Sequence, residues 1–185
     1  MKYVLPLLAF LMASAALGDC PRPADHSAEL SGLFEEARAA KNDMEGRAVS
    51  DRMWQVWLRA PDEAAQEALD SGLRRRSSYD FLGAYDAFDR LVAYCPDYAE
   101  GYNQRAYISF LREDYEAALV DLDRALAILP QHVAAQSGRA LTLMNLGRLD
   151  EARAQLQAAL ENNPWLSERF LMGEGGPLAP AGKDI

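Results

Sequence analysis

Cysteine is scarce in this sequence of 185 residues, where Cys20 and Cys95 are the only two, and histidine is equally scarce, with His26 and His132. No HExxH, CxxC, glycine-rich phosphate loop or nucleophile elbow occurs. Enzymatic activity, a bound metal and a cofactor are therefore not expected. His26 falls in an N-terminal arm, and His132 is expected at a turn or on the surface. Asp121 and Asp123, two apart on a helix, point to different faces and do not make a paired acid and base. Basic side chains are also in deficit, 19 against 28 acidic, for a formal charge of −9. That balance lacks the footprint that nucleic acid or an anionic membrane surface requires. No long apolar span exists either: the uncharged stretch over residues 3–17 reaches only about 22 Å as a helix against a hydrocarbon core of roughly 30 Å.

The apolar run follows Lys2 and closes on Ala16 and Gly18, small residues three and one positions before Asp19. Residues 1–18 are therefore read as a signal peptide and 19–30 as an N-terminal arm. The expected location is the periplasm, with secretion as second choice. Lipid attachment at Cys20 is disfavoured, because Asp19 stands where that processing needs a small uncharged side chain. Removing residues 1–18 takes away Lys2, so 18 basic groups remain against 28 acidic and the net charge becomes −10. In an oxidising compartment Cys20 and Cys95 can pair across a 75-residue separation, an entropic gain of a few kcal/mol. The alternative is a loose Cys20 and a Cys95 that packs as a small apolar residue.

What the sequence does contain is a period. Pro96, Pro130 and Pro164 stand 34 residues apart, and the segments between them superimpose. Ala106 pairs with Ala140, Phe110 with Met144, Tyr115 with Leu149, Ala118 with Ala152, Leu122 with Leu156, and Ala125 with Ala159. Small residues let helix backbones approach closely, each proline ends a helix, and Leu119, Leu122, Leu126 and Leu129 recur at helical spacing. Stepping back by the same period gives a window over 65–98 with Gly72, Phe81, Ala84, Phe88 and Leu91 in place, and a more degenerate one over 31–64. A plain helical hairpin, with helices near 27–40 and 45–59, is the alternative for the second of these.

This pattern resembles the tetratricopeptide repeat, as an exported bacterial member of that family. The copy at 99–132 supplies Tyr102, Ala106, Tyr115, Ala118, Leu122, Ala125 and Pro130; the copy at 133–166 supplies Ala140, Gly147, Leu149, Ala152, Leu156, Ala159 and Pro164. Arg105 and Arg139 occupy a position where an aliphatic residue is commoner. The resemblance implies an all-α, right-handed solenoid of antiparallel helix pairs. Residues 165–172 are expected to form a capping helix and 173–185 a disordered tail.

The resemblance also implies a concave groove lined by the first helix of each pair. Carried over, the partner-binding residues are Asn103, Tyr107, Phe110 and Leu111 in one copy and Ser137, Leu141, Met144 and Asn145 in the next, with Glu100 and Ala134 beside them. Tyr107 should lie next to Leu141 and Phe110 next to Met144, giving an apolar strip able to hold a peptide or helix. The implied function is a protein-interaction module that binds a peptide segment or folded partner, with envelope assembly as its setting. Self-association as an architectural subunit is the alternative, and a terminal segment of the same chain can also cover the strip. Arg74, Arg75 and Arg76 form the one basic cluster, either complementing a helix C-terminus or serving as a docking patch.

Overall fold

The computed structural model describes residues 19–180; the expected signal peptide and the last five residues lie outside that range. Among the described residues the chain is helical, in four antiparallel pairs: α1 (Ser27–Ala39) with α2 (Asp43–Trp57), α3 (Glu63–Ser77) with α4 (Phe81–Tyr94), α5 (Ala99–Leu111) with α6 (Tyr115–Ile128), and α7 (Val133–Asn145) with α8 (Leu149–Asn162). The second helices α4, α6 and α8 begin 34 residues apart, as do the first helices α5 and α7. α3 begins at Glu63, two residues ahead of the strict period.

The three later pairs stack in order, each helix against the next. Small side chains make the approach possible. Ala84, Ala118 and Ala152, one per second helix, are fully buried, and Gly72, Ala106 and Ala140 hold the matching position of the first helices. At Gly72 an added Cβ would stand 2.3 Å from the Phe88 ring, so this crossing admits no side chain. Leu69, Phe88, Leu91, Ile108, Leu143 and Leu156 fill the space between layers, each such burial worth about 1.5–3 kcal/mol.

The turn inside each pair repeats as faithfully as the helices. Tyr79, Glu113 and Gly147, 34 apart, all adopt positive φ, at 61°, 62° and 74°. In each case the next residue's N–H returns to a carbonyl five residues back: Asp80 to Arg75, Asp114 to Ser109, and Arg148 to Leu143. This is the left-handed helix stop that glycine adopts without strain, and two of the three copies make it with a side chain present. Asp80 and Asp114 then cap α4 and α6 through the N–H groups of Gly83 and Ala117.

The unusual arginines tie successive second helices together across the first helices. Arg105 binds Asp121 through Nε and Nη2 at 2.8 and 2.6 Å, and Asp89 through Nη1 at 2.6 Å. Arg139 reaches Asp123 at 2.6 Å and Gln155 at 3.1 Å. Asp121 and Asp123 thus serve different arginines, and the buried Asp121 carboxylate raises the Arg105 guanidinium well above its ordinary range, so it stays charged.

The N-terminal segment departs from the expected layout. Residues 31–64 do not form a repeat; helix begins four residues inside the presumed arm, and α1–α2 is the plain hairpin alternative. It does not extend the stack. The arm and α1 run along the edge formed by the ends of α4, α6 and α8, and α2 returns beside them. Three residues at one repeat position meet them in turn. Cys95 forms a disulfide with Cys20, with Cα atoms 5.2 Å apart. Leu129 packs against the Leu30, Leu33 and Phe34 cluster. Asn163 donates from Nδ2 to Ser50 Oγ at 2.8 Å.

The C-terminal segment is also more ordered than expected. The segment expected to cap the stack folds as a 3-10 helix, Ser167–Met172, whose Leu171 covers the last pair. The loose tail expected from residue 173 does not hold as far as residue 180. Leu178 is fully buried, and Arg153 Nε donates to the carbonyls of Leu178 and Ala179 at 3.1 and 3.2 Å. A lone apolar residue among glycines and prolines gives little pattern, yet the last pair offers it an open apolar face.

The turn geometry predicts opposite signs at equivalent positions. Glu113→Gly should raise stability by about 0.5 kcal/mol, relief of left-handed strain exceeding the added unfolded-state entropy, while Gly147→Ala should lower it by about 1 kcal/mol; urea unfolding of both variants checks this. A second expectation concerns acid. The Asp62 carboxyl, which caps α3, is held below the ordinary range first by the Ala65 N–H and then by the Tyr94 hydroxyl, and Asp80 first by the Gly83 N–H and then by Arg75. Groups with depressed folded-state values contribute above the ordinary carboxylate range and lose that contribution as pH falls through it. Asp62→Ala should therefore lower the Tm at pH 7, with the gap to the parent closing below about pH 4.

Candidate peptide-binding cavity

Because α2 returns across the first helices, the expected open groove is a walled cavity of about 1100 Å³. One face of α2 makes a wall. Asp43, Arg47, Ser50, Trp54 and Trp57 follow one another at helical spacing and all border the space, while Val49 and Val56 turn away to pack against α1 and Met53 joins that core from the edge of the cavity. The facing wall comes from α3, α5 and α7 through Arg76, Asn103, Tyr107, Phe110, Ser137 and Leu141. Trp165 and the 3-10 helix close one end. All three tryptophans of the chain therefore border the cavity.

The expected groove residues divide. Asn103, Tyr107, Phe110, Ser137 and Leu141 line the cavity, with Tyr107 and Leu141 on its facing wall. Leu111, Met144 and Asn145 do not. Leu111 is exposed at the end of α5, Met144 packs against the Leu143 and Leu156 cluster, and Asn145 binds the Leu141 carbonyl. Phe110 borders the cavity while Met144 does not, and the Phe110 ring meets Tyr115 edge-on at 5.4 Å. Of the arginine triplet, Arg75 pairs with Asp80, and Arg76 turns into the cavity, bound to Gln104 Oε1 at 2.6 Å with its charge 5.3 Å from the Tyr107 ring.

His132 is neither a surface residue nor idle. It is fully buried, and the reason is its position at the α7 N-terminus facing α2. Nδ1 accepts from the Ala135 N–H at 3.3 Å, which leaves Nε2 to donate to Glu100 Oε2 at 2.8 Å. Its ring stacks on Trp57 at 4.4 Å. Glu100, itself buried, also accepts from Asn103 Nδ2 at 3.0 Å and from Gln104 Nε2, so every carboxylate oxygen is occupied. Buried polar groups in a linked chain from Arg76 to His132 thus hold the facing wall rigid. Two buried polar atoms of cavity-lining residues, Trp57 Nε1 and Ser137 Oγ, have no partner within the described chain.

Sequence reasoning missed the α2 wall, although its signal was present. Trp54 and Trp57 lie on one helical face with Arg47, Ser50 and Asp51, a mixture of large aromatics and charges unlike a packing face. Among the described residues, no group of three or more His, Cys, Asp or Glu side chains is placed to hold a metal, and no helix is long and apolar enough to cross a membrane.

Loss of the Glu100 carboxylate leaves His132 Nε2 and Gln104 Nε2 buried without acceptors. Glu100→Leu should cost about 1–3 kcal/mol in urea unfolding, and a cost near zero would mean that these donors find other partners.

Comparison with known proteins agrees with this geometry. A model of the tetratricopeptide repeat family matches residues 109–165. A TPR repeat-containing protein of Rhizobium etli is 34% identical over 117 residues, covering 63% of this chain and 50% of that protein. Tetratricopeptide repeat protein 36 of Xenopus tropicalis is 30% identical over 140 residues, covering 70% of this chain and 64% of that one. The chain thus spans between half and two thirds of the length of these curated relatives. Among solved structures, the first TPR of Spaghetti (RPAP3), bound to an HSP90 peptide, superimposes with a TM-score of 0.55 at 22% identity over 56% of this chain and 82% of that one. The Sgt2 TPR domain of Aspergillus fumigatus does so at 0.56 and 16% identity, over 68% and 91%. At these identities the structures speak to the fold alone. Residues 109–165 thus match the tetratricopeptide repeat family, and the stacked helix pairs and repeated turns make the chain similar in fold to proteins built from that repeat.

Proposed function

We propose that this protein is an exported interaction module that holds a peptide segment of a partner protein between α2 and the first helices α5 and α7, and that its setting is the assembly of an envelope complex. The observation that carries the reading is the cavity itself. About 1100 Å³ is ample for several side chains, and its walls combine aromatic faces with a few charged and amide groups, the mixture that gives affinity and orientation together. Solved relatives in fold are seen with bound peptides, among them the TPR of Spaghetti with an HSP90 peptide and a Sti1 domain of yeast in complex with pHsp70. Export is supported by the apolar run at residues 3–17 and by the Cys20–Cys95 disulfide, a bond that persists in oxidising compartments.

Capture of partners from an exported fraction by crosslinking tests the proposal. A Tyr107→Ala, Phe110→Ala double variant should bind at least about 30-fold more weakly, the loss of roughly 2 kcal/mol expected when an aromatic anchor is removed, while its helical signal stays intact. Light scattering on the same pair of proteins separates the self-association alternative: a parent dimer that this variant dissociates would replace the foreign partner with a second copy.

A further inference from the structure

The α1–α2 hairpin is held very differently at its two ends. Its root is covalent and buried. Cys20 is bonded to Cys95, the Tyr98 hydroxyl donates to the Trp57 carbonyl at 2.7 Å, Trp57 stacks on His132, and Leu58 and Ala60 pack into the α3–α4 core. At the opposite end no bond is covalent: Leu166 packs on the hairpin core, α1 lies against α8, and the rest is polar. Arg169 binds Asp43 at 2.5 Å with both side chains about half exposed, and Asn163 binds Ser50. Trp165 Nε1 donates to the Ala37 carbonyl at 2.9 Å.

The Trp165 indole sits directly on Gly46. A Cβ added at residue 46 would lie 2.1 Å from Trp165 Cγ and 2.5 Å from two further atoms of that side chain. Gly46 is in the interior of α2, where glycine weakens a helix relative to alanine, and its backbone shows no positive φ that would require it. Room for the indole is what this glycine provides.

We infer that the α1–α2 hairpin is a gate on the cavity, hinged at residues 58–62 and the disulfide and latched by Trp165 seated on Gly46. Opening frees the end at Asp43 and widens the space between α2 and α7, while the disulfide keeps the hairpin attached for reclosure. Local opening proceeds at the end that lacks a covalent tie, and that is the latch end. The gate's role in admitting a ligand rests on the cavity being the binding site; the gate itself is testable with no ligand present.

Hydrogen exchange on the full chain, with the Cys20–Cys95 bond intact, measures it. Gly46→Ala strengthens the intrinsic helix preference of α2, so faster exchange there cannot come from a weaker helix. The gate predicts amides of α1 and α2 exchanging at least about tenfold faster in Gly46→Ala, with α5 and α6 unchanged. The charge swap adds an independent arm: Asp43→Arg should speed the same amides, and Asp43→Arg with Arg169→Asp should restore them. Unchanged exchange in α1–α2, or acceleration spread evenly over all helices, overturns the gate. A failure of the Tyr107 and Phe110 variant to lose its partner leaves these rates untouched, so the two readings fail separately.

Discussion

The repeat period places chemically different residues at equivalent points along one edge of the stack, and the rest of the molecule is arranged around that edge. The residue before each helix-ending proline is Cys95, Leu129 or Asn163, and three positions further stand Tyr98, His132 and Leu166. The first set anchors the N-terminal hairpin by a disulfide, an apolar contact and a hydrogen bond in turn. The second grips α2, with Tyr98 and His132 on Trp57 and Leu166 against the hairpin core. A solenoid has no intrinsic means of closing on itself, because each pair meets only its neighbours. Here a regular ladder of docking points supplies one, and α1 comes to lie against α8.

That closure changes the chemistry of the concave face. An open groove offers one wall and leaves its ligand half in water. With α2 opposite α5 and α7, the same residues face a space where charge and aromatic contacts are less screened. The facing wall is stiffened by the Arg76, Gln104, Glu100 and His132 chain, all of it hydrogen-bonded, whereas the free end of the α2 wall is held by the indole seat, the packing of Leu166 and a handful of polar contacts. One wall is rigid and the other is lightly held, and that difference follows from where the buried hydrogen bonds were placed.

Period and residue size together make the stack readable without coordinates. Proline at 34-residue intervals ends helices by local sterics, and alanine at the crossings acts through side-chain size, so both act wherever they occur. The helix pairs from 65 onward follow, whereas Asn103, Tyr107, Phe110, Ser137 and Leu141, which border the cavity, were implied only by the resemblance to a known repeat family. Even the arginines at an aliphatic position carried a hint, since two such residues one period apart need acceptors one period apart, and Asp89 and Asp123 are those acceptors.

Long-range choices are different in kind. Nothing local in Leu178 distinguishes a buried residue from one in a loose tail, and nothing local in His132 shows that Trp57, 75 residues earlier, will cover it. The path of α1–α2 across the helix ends rests on contacts between segments more than a hundred residues apart, such as Ala37 with Trp165 and Ser50 with Asn163. Periodicity is a property of the chain and is therefore visible in it. Which surface a non-periodic segment covers depends on shape and partners that exist only after the stack has formed, and for this protein that step turned an open groove into a walled cavity.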